Sequence, residues 1–248
     1  MYWGQNSFGA RHLALALVLV SGATAAAADI LVVRSTGPSA KMYPPGKSLP
    51  ETSQLALKPG DMLVVLDGRG TRTIRGPGNF VAGAAQTAAQ PVQTASATPA
   101  RRARIGAVRG TGTTAALPRP ATLWQVDVTK SSNICVADRT NLTLWRADAT
   151  KPVTLTIMRD GAAAQKVSWP AGQATVAWPA DLPIAEGAQY SLSWEGAAAP
   201  TRVKFKTLSN KPSGLEEMAS SLILNQCEAQ LELLIDTVKL PDQTPPAG

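Results

Sequence analysis

The stretch Asp61–Phe80, DMLVVLDGRGTRTIRGPGNF, decides how the first part of the chain folds. Met62 to Leu66 is an unbroken apolar run rich in branched side chains, the composition of a buried strand. Gly60-Asp61 before it and Asp67-Gly68 after it are turn signals: glycine reaches positive φ freely, and aspartate bonds its own backbone. From Gly70 to Arg75 the polarity alternates, which predicts a second strand with one polar face. Gly76-Pro77-Gly78 ends that strand, so the pair reads as a β-hairpin. No Lys-Ser or Lys-Thr follows the glycines, which excludes a phosphate-cradling loop. Gly68-x-Gly70 also lacks the third glycine of a dinucleotide fingerprint.

Outward from the hairpin, Ile30 to Val33 and Leu55 to Leu57 read as two further strands, separated by a proline-bearing loop from Ser35 onward. Residues 29–80 are therefore expected to form a small all-β unit. Its cadence is Leu57-Lys58-Pro59-Gly60-Asp61, an apolar strand, Gly70 to Ile74, then Gly76-Pro77-Gly78. This cadence resembles the FecR-like β module of the bacterial periplasm. The resemblance covers residues 29–80 and implies a scaffold or sensor role in the envelope rather than catalysis. Transmembrane signalling by this chain alone is not expected, since neither the cytoplasmic domain nor the true membrane span of the signalling members is legible in it.

Residues 1–28 read as a secretory signal peptide. Arg11 and His12 supply a positive start, Leu13 to Val20 (LALALVLV) an apolar core, and Ser21 to Ala28 the small residues of a cleavage region. The apolar stretch is too short for a membrane span, which needs about 20 residues. Cleavage is expected to leave Asp29 at the new N-terminus. Export makes the two cysteines, Cys135 and Cys227, a predicted disulfide. The sole histidine, His12, lies inside the segment to be removed. Histidine-dependent nucleophile activation and histidine-based zinc sites are then closed to the mature protein. No metal or cofactor is expected.

Residues 81–120 are low in complexity and read as a flexible linker, with too few apolar groups to offset ordering entropy. Charge singles out this part of the chain. No acidic residue and no lysine lies between Asp67 and Asp127, but eight arginines do: Arg69, Arg72, Arg75, Arg101, Arg102, Arg104, Arg109 and Arg119. The remaining basic and acidic residues nearly balance, which reads the basicity as one tract. A guanidinium suits phosphate and carboxylate, so Arg69, Arg72, Arg75, Arg101, Arg102, Arg104 and Arg109 are candidate anion-binding residues. The expected partner is an envelope protein or an anionic envelope polymer or lipid. Nucleic acid is not expected, because the chain reads as exported and Phe80 is the one aromatic residue between Arg69 and Arg119.

Residues 121–207 read as a second β domain. Strands are predicted at Leu123–Val128, Asn133–Ala137, Leu142–Arg146, Val153–Met158, Gln165–Trp169, Ala174–Trp178, Gln189–Trp194 and Arg202–Thr207. That spacing favours an immunoglobulin- or fibronectin-like sandwich. Trp124, Trp145, Trp169, Trp178 and Trp194 fall here. Strand tryptophans usually fill a core, but Trp169 and Trp178, each ahead of a proline at a strand end, are the candidates for a sugar platform. Residues 213–239 read as one amphipathic helix opened by a Ser213–Glu216 capping box. Its apolar stripe, including Leu215, Ala219, Leu222, Cys227, Leu231 and Leu234, is expected to pack on the sandwich through the disulfide; partner docking is the alternative.

The sequence thus predicts a mainly β, exported, non-enzymatic scaffold or adaptor. A glycan- or peptidoglycan-binding module is the first alternative. The second is a histidine-free hydrolase using carboxylates such as Asp181 or Glu186.

Overall fold

The computed structural model describes residues 29–84, 118–159, 161–209 and 211–240. The predicted signal peptide and most of the predicted linker, with Arg101, Arg102, Arg104 and Arg109, lie outside the described residues. Within them the chain is mainly β, with fourteen strands and two helices.

The first unit holds β1 (Asp29–Thr36), β2 (Ser48–Pro50), β3 (Gln54–Leu57), β4 (Met62–Asp67), β5 (Gly70–Arg75) and β6 (Gly78–Val81). The predicted hairpin is β4–β5, in register from Met62 against Arg75 to Asp67 against Gly70. Strand order in the main sheet is β2-β1-β4-β5, and β3 pairs with β6. The unit runs on past the expected boundary: Ala82 is fully buried, and its N–H bonds the carbonyl of Ser53. Strands β1 and β4 are buried on both faces, which explains their unbroken apolar runs. Ile30, Val32, Leu63 and Val65 face one core with Leu55, Leu57 and Ile74. Leu31, Val33, Val64 and Leu66 face another, made largely by the helices.

The second unit holds β7 (Gln125–Asp127), β8 (Ser132–Val136), β9 (Thr143–Trp145), β10 (Val153–Arg159), β11 (Gln165–Trp169), β12 (Thr175–Ala177), β13 (Gln189–Ser193) and β14 (Thr201–Thr207). They form a five-stranded sheet, β11-β10-β13-β14-β8, and a three-stranded sheet, β12-β9-β7. Two pairings are parallel, β14 with β8 and β7 with β9. Between the sheets lies a core of alternating inward residues, among them Leu144, Leu155, Ile157, Leu192, Val203 and Phe205. Each predicted strand is present, with ends moved by a residue or two.

The single helix expected over 213–239 is two: α1 (Leu215–Leu224) and α2 (Glu228–Thr237). Gln226 has φ 57°, its N–H bonds the carbonyl of Ile223, and the Cys227 N–H bonds that of Leu222. This is the Schellman ending of a helix, with glutamine where glycine is usual. The predicted capping box is also corrected. Gly214 is the N-cap without a side-chain bond, while Ser213 donates its N–H and hydroxyl to Glu217, not Glu216.

The helix pair packs against both units. Ala219, Leu222, Cys227, Leu231, Leu234 and Ile235 share one core with Leu31 and Leu66 of the first sheet and with Cys135 and Leu208 of the second unit. The apolar stripe is consumed inside the molecule. A disulfide joins Cys135 and Cys227, 92 residues apart; closing a loop of that size stabilises by about 4–5 kcal/mol on the chain-entropy account. Beside it, the buried Gln230 accepts from the Cys135 N–H and donates to the carbonyls of Cys135 and Leu123. Past α2, the chain returns to the edge of β5: Thr71 donates its N–H to Val238 and accepts from the Leu240 N–H. A Cβ at Gly70 would collide with the carbonyl of Val238, so that close approach requires glycine.

Candidate functional site

The described part of the arginine tract does not converge. Arg72 is a structural residue: its guanidinium pairs with Asp67 at 2.5 Å and donates to the carbonyl of Ala82, tying β4, β5 and the end of the first unit. It has no charge to spare for a ligand, and this corrects its assignment as an anion-binding residue. Arg69 is exposed in the β4–β5 turn and Arg75 exposed at the far end of β5, about 20 Å away by strand rise. Arg119 pairs with Asp236 at 3.4 Å.

Trp169 and Trp178 are core residues, which corrects the sugar-platform assignment. Only 1% and 8% of their surfaces are exposed. Trp169 donates its Nε1–H to the carbonyl of Gln173 and lies under the guanidinium of Arg146. Trp178 donates to the carbonyl of Leu182 and stands edge-on to Tyr190 and Phe205, with centroids 5.3 and 5.1 Å away. A buried indole satisfied this way has no face left for a sugar. The carboxylate candidates are likewise separate. Glu186 accepts from the Thr207 N–H and lies 4.0 Å from Lys206. Those contacts, the Thr207 hydrogen bonds first, hold its pKa below the usual carboxylate range. Asp181 is exposed. Neither lines the cleft described next. Among the described residues, no group of three or more His, Cys, Asp or Glu is placed to hold a metal.

The cleft lies where the second unit meets the helix junction, and its volume is about 650 Å³. Its walls come from the loop before β8, from β13 and β14, and from the turn into α2. Lys130, Asn133, Arg202, Lys204, Gln226 and Glu228 line it, together with Ser131, Ser132 and Gln189. Each is placed by an identifiable feature. Arg202 and Lys204 occupy the exposed positions of β14, whose pattern alternates buried and exposed. Lys204 is the register partner of Asn133 on one side and of Gln189 on the other. The Ser131 hydroxyl accepts from the Arg202 N–H at 3.0 Å, and the Asn133 amide reaches the carbonyl of Asn225 at 3.4 Å, joining floor to wall. The Cys135–Cys227 disulfide holds the same wall from behind.

Lys130 leans on Asp127 at 3.4 Å. Arg202 and Lys204 are exposed and make no ion pair among the described residues. With three cations, one carboxylate and a lining otherwise mostly of hydroxyls and amides, the cleft suits a polar anion. Reading basicity as a single linker tract missed this second focus. The available signal was the alternation Thr201-Arg-Val-Lys-Phe-Lys-Thr207, which places three cations on one face of β14.

The chain matches no family model, no curated protein and no solved structure. No helix among the described residues is long and apolar enough to cross a membrane.

Proposed function

We propose that the chain is an exported, non-enzymatic protein of the cell envelope that acts as a scaffold or adaptor and meets an anionic envelope partner. The Cys135–Cys227 disulfide carries this reading. Disulfides persist in oxidising compartments, and this one links the helix layer to the sandwich. The signal-like residues 1–28 and the FecR-like cadence of residues 29–80 agree with it. So does the shared core, which welds two β units into one body and leaves the polar cleft open for contact. The carboxylate hydrolase loses support, because Glu186 is engaged by Thr207 and Lys206.

The test is expression of the full chain in a bacterium, followed by cell fractionation, intact-mass measurement and a thiol count in denaturant. The expected product is periplasmic or secreted, lacks residues 1–28, and shows two thiols only after reduction. A full-length cytoplasmic product with two free thiols at the outset overturns the reading.

A further inference from the structure

The cleft continues into a larger surface. The inward residues of β10, β13 and β14 fill the sandwich core, so their alternates form the outer face of the five-stranded sheet. Registers align those alternates in rows. Lys166 stands beside Thr156 and then Ser193. Met158 stands beside Ser191 and then Arg202. Gln189 stands beside Lys204 and then Asn133, which is the cleft floor. Lys206 follows beside Cys135, where the helices cover the sheet. The outward positions of β10, β11, β13 and β14 carry four cations, hydroxyls, one amide and one thioether, and no carboxylate or aromatic ring.

Among the described residues, two carboxylates stand at the margins of this face. Glu186 lies beside Lys206 and Glu228 on the cleft wall. Lys166, Arg202 and Lys204 are exposed without an ion pair among the described residues. Lys166 and Arg202 are separated by three strand spacings and a two-residue offset along the strands, about 16 Å, and Arg202 and Lys204 by two residues, about 7 Å.

We infer that this face and the cleft at its end bind one occupant, a chain of acidic sugars. The proposal rests on the exported envelope reading and names the partner's chemistry. The argument is complementarity. Spaced cations meet the carboxylates of an extended polyanion, and hydroxyl and amide side chains exchange hydrogen bonds with sugar hydroxyls. A lipid surface would call for inserted apolar or aromatic anchors, and Met158 is the face's one large exposed apolar side chain. Single-stranded nucleic acid would call for stacking aromatics, and the face has none.

The test is titration calorimetry of the purified, oxidised full-chain product with polygalacturonate at low and moderate salt. Neutral dextran, phosphatidylglycerol vesicles and a single-stranded oligonucleotide serve as comparison ligands. Polygalacturonate is expected to bind most tightly, and more weakly as salt rises. The double variant Arg202→Gln/Lys204→Gln is expected to lose at least tenfold in affinity, Lys166→Gln less, and Lys41→Gln on the first unit nothing. Circular dichroism confirms that each variant is folded. Vesicles or oligonucleotide binding as tightly as polygalacturonate would overturn the sugar assignment, and an equal loss from Lys41→Gln would overturn the site. An exported product indifferent to polygalacturonate sinks this inference alone. A product that binds it but stays in the cytoplasm sinks the export reading alone.

Discussion

The two β units use opposite strategies for the same polymer. In the first, β1 and β4 are buried on both faces, and neighbouring residues serve different cores: Val65 faces β3 and Ile74, and Leu66 faces the helices. In the second, β10, β13 and β14 bury every other residue and leave the outer face to water. A strand covered twice has no position free for function, whereas a strand covered once keeps half of its side chains for a partner. The difference places the candidate binding surface on the sandwich and makes the first unit a foundation.

Truncation should expose that difference most strongly. Leu63→Ala and Leu66→Ala empty different cores, and each is expected to cost about 2–5 kcal/mol; Phe205→Ala on β14 should cost about 3–5 kcal/mol. Its neighbour Lys204→Ala should stay within about 0.5 kcal/mol, as surface changes do. Urea unfolding midpoints of the four variants test this. If Leu66→Ala were as mild as Lys204→Ala, the helix layer would not rest on the first sheet and the contrast would fail.

Acid should separate the units next, because the partly buried Arg72 and the buried Arg146 have different partners. Arg72 pairs with a carboxylate, Asp67. Arg146 instead donates to three backbone carbonyls, those of Gln173, Lys151 and Pro170, and carbonyls do not titrate. Burial disfavours the charge of Asp67, but hydrogen bonds from Arg69 and Arg72 and the Arg72 charge outweigh it, so its pKa is lowered. Asp61, bonded by Ser39 and Lys58, is lowered in the same way against its burial. A lowered folded pKa means that the stability is complete above the unfolded value near 3.9 and disappears as pH falls through the folded value. Melting temperatures from pH 5 to pH 2 should fall in the parent and fall less in Asp67→Asn, which is less stable at neutral pH. Equal acid slopes would remove the Asp67–Arg72 pair as the cause.

How much of this was legible follows from where the signals sit. The strands of the second unit could be read because Asp, Gly and Pro turns bracket short alternating runs, and the β4–β5 hairpin because its glycines stand at its ends. Strands β2 and β6 escaped because one lies in a proline-bearing loop and the other starts inside Gly76-Pro77-Gly78. The tryptophans could be assigned to a core by size, but Trp169 and Trp178 stood beside prolines at strand ends, which mimics an exposed platform. The basic face required knowing which strands are covered only once, a property of tertiary packing that no single strand's pattern contains. The helix break was hidden because its signal residue is missing: Gln226 occupies the left-handed position that glycine usually marks.

That same residue gives the smallest and most local prediction. A non-glycine side chain in the left-handed region costs roughly 1–2 kcal/mol, and glycine there gives part of the gain back through its freer unfolded chain. Gln226→Gly should therefore raise stability by about 1 kcal/mol, a rise of about 2–4 °C in melting temperature for a chain of this size. Gln226→Ala keeps the unfavourable φ and should bring no gain. A loss in Gln226→Gly would have a different meaning: the Gln226 amide in the cleft wall would then hold the α1–α2 junction more strongly than its backbone strains it. The cleft would have a rigid wall built from a side chain instead of one set by the Schellman turn and the disulfide behind it.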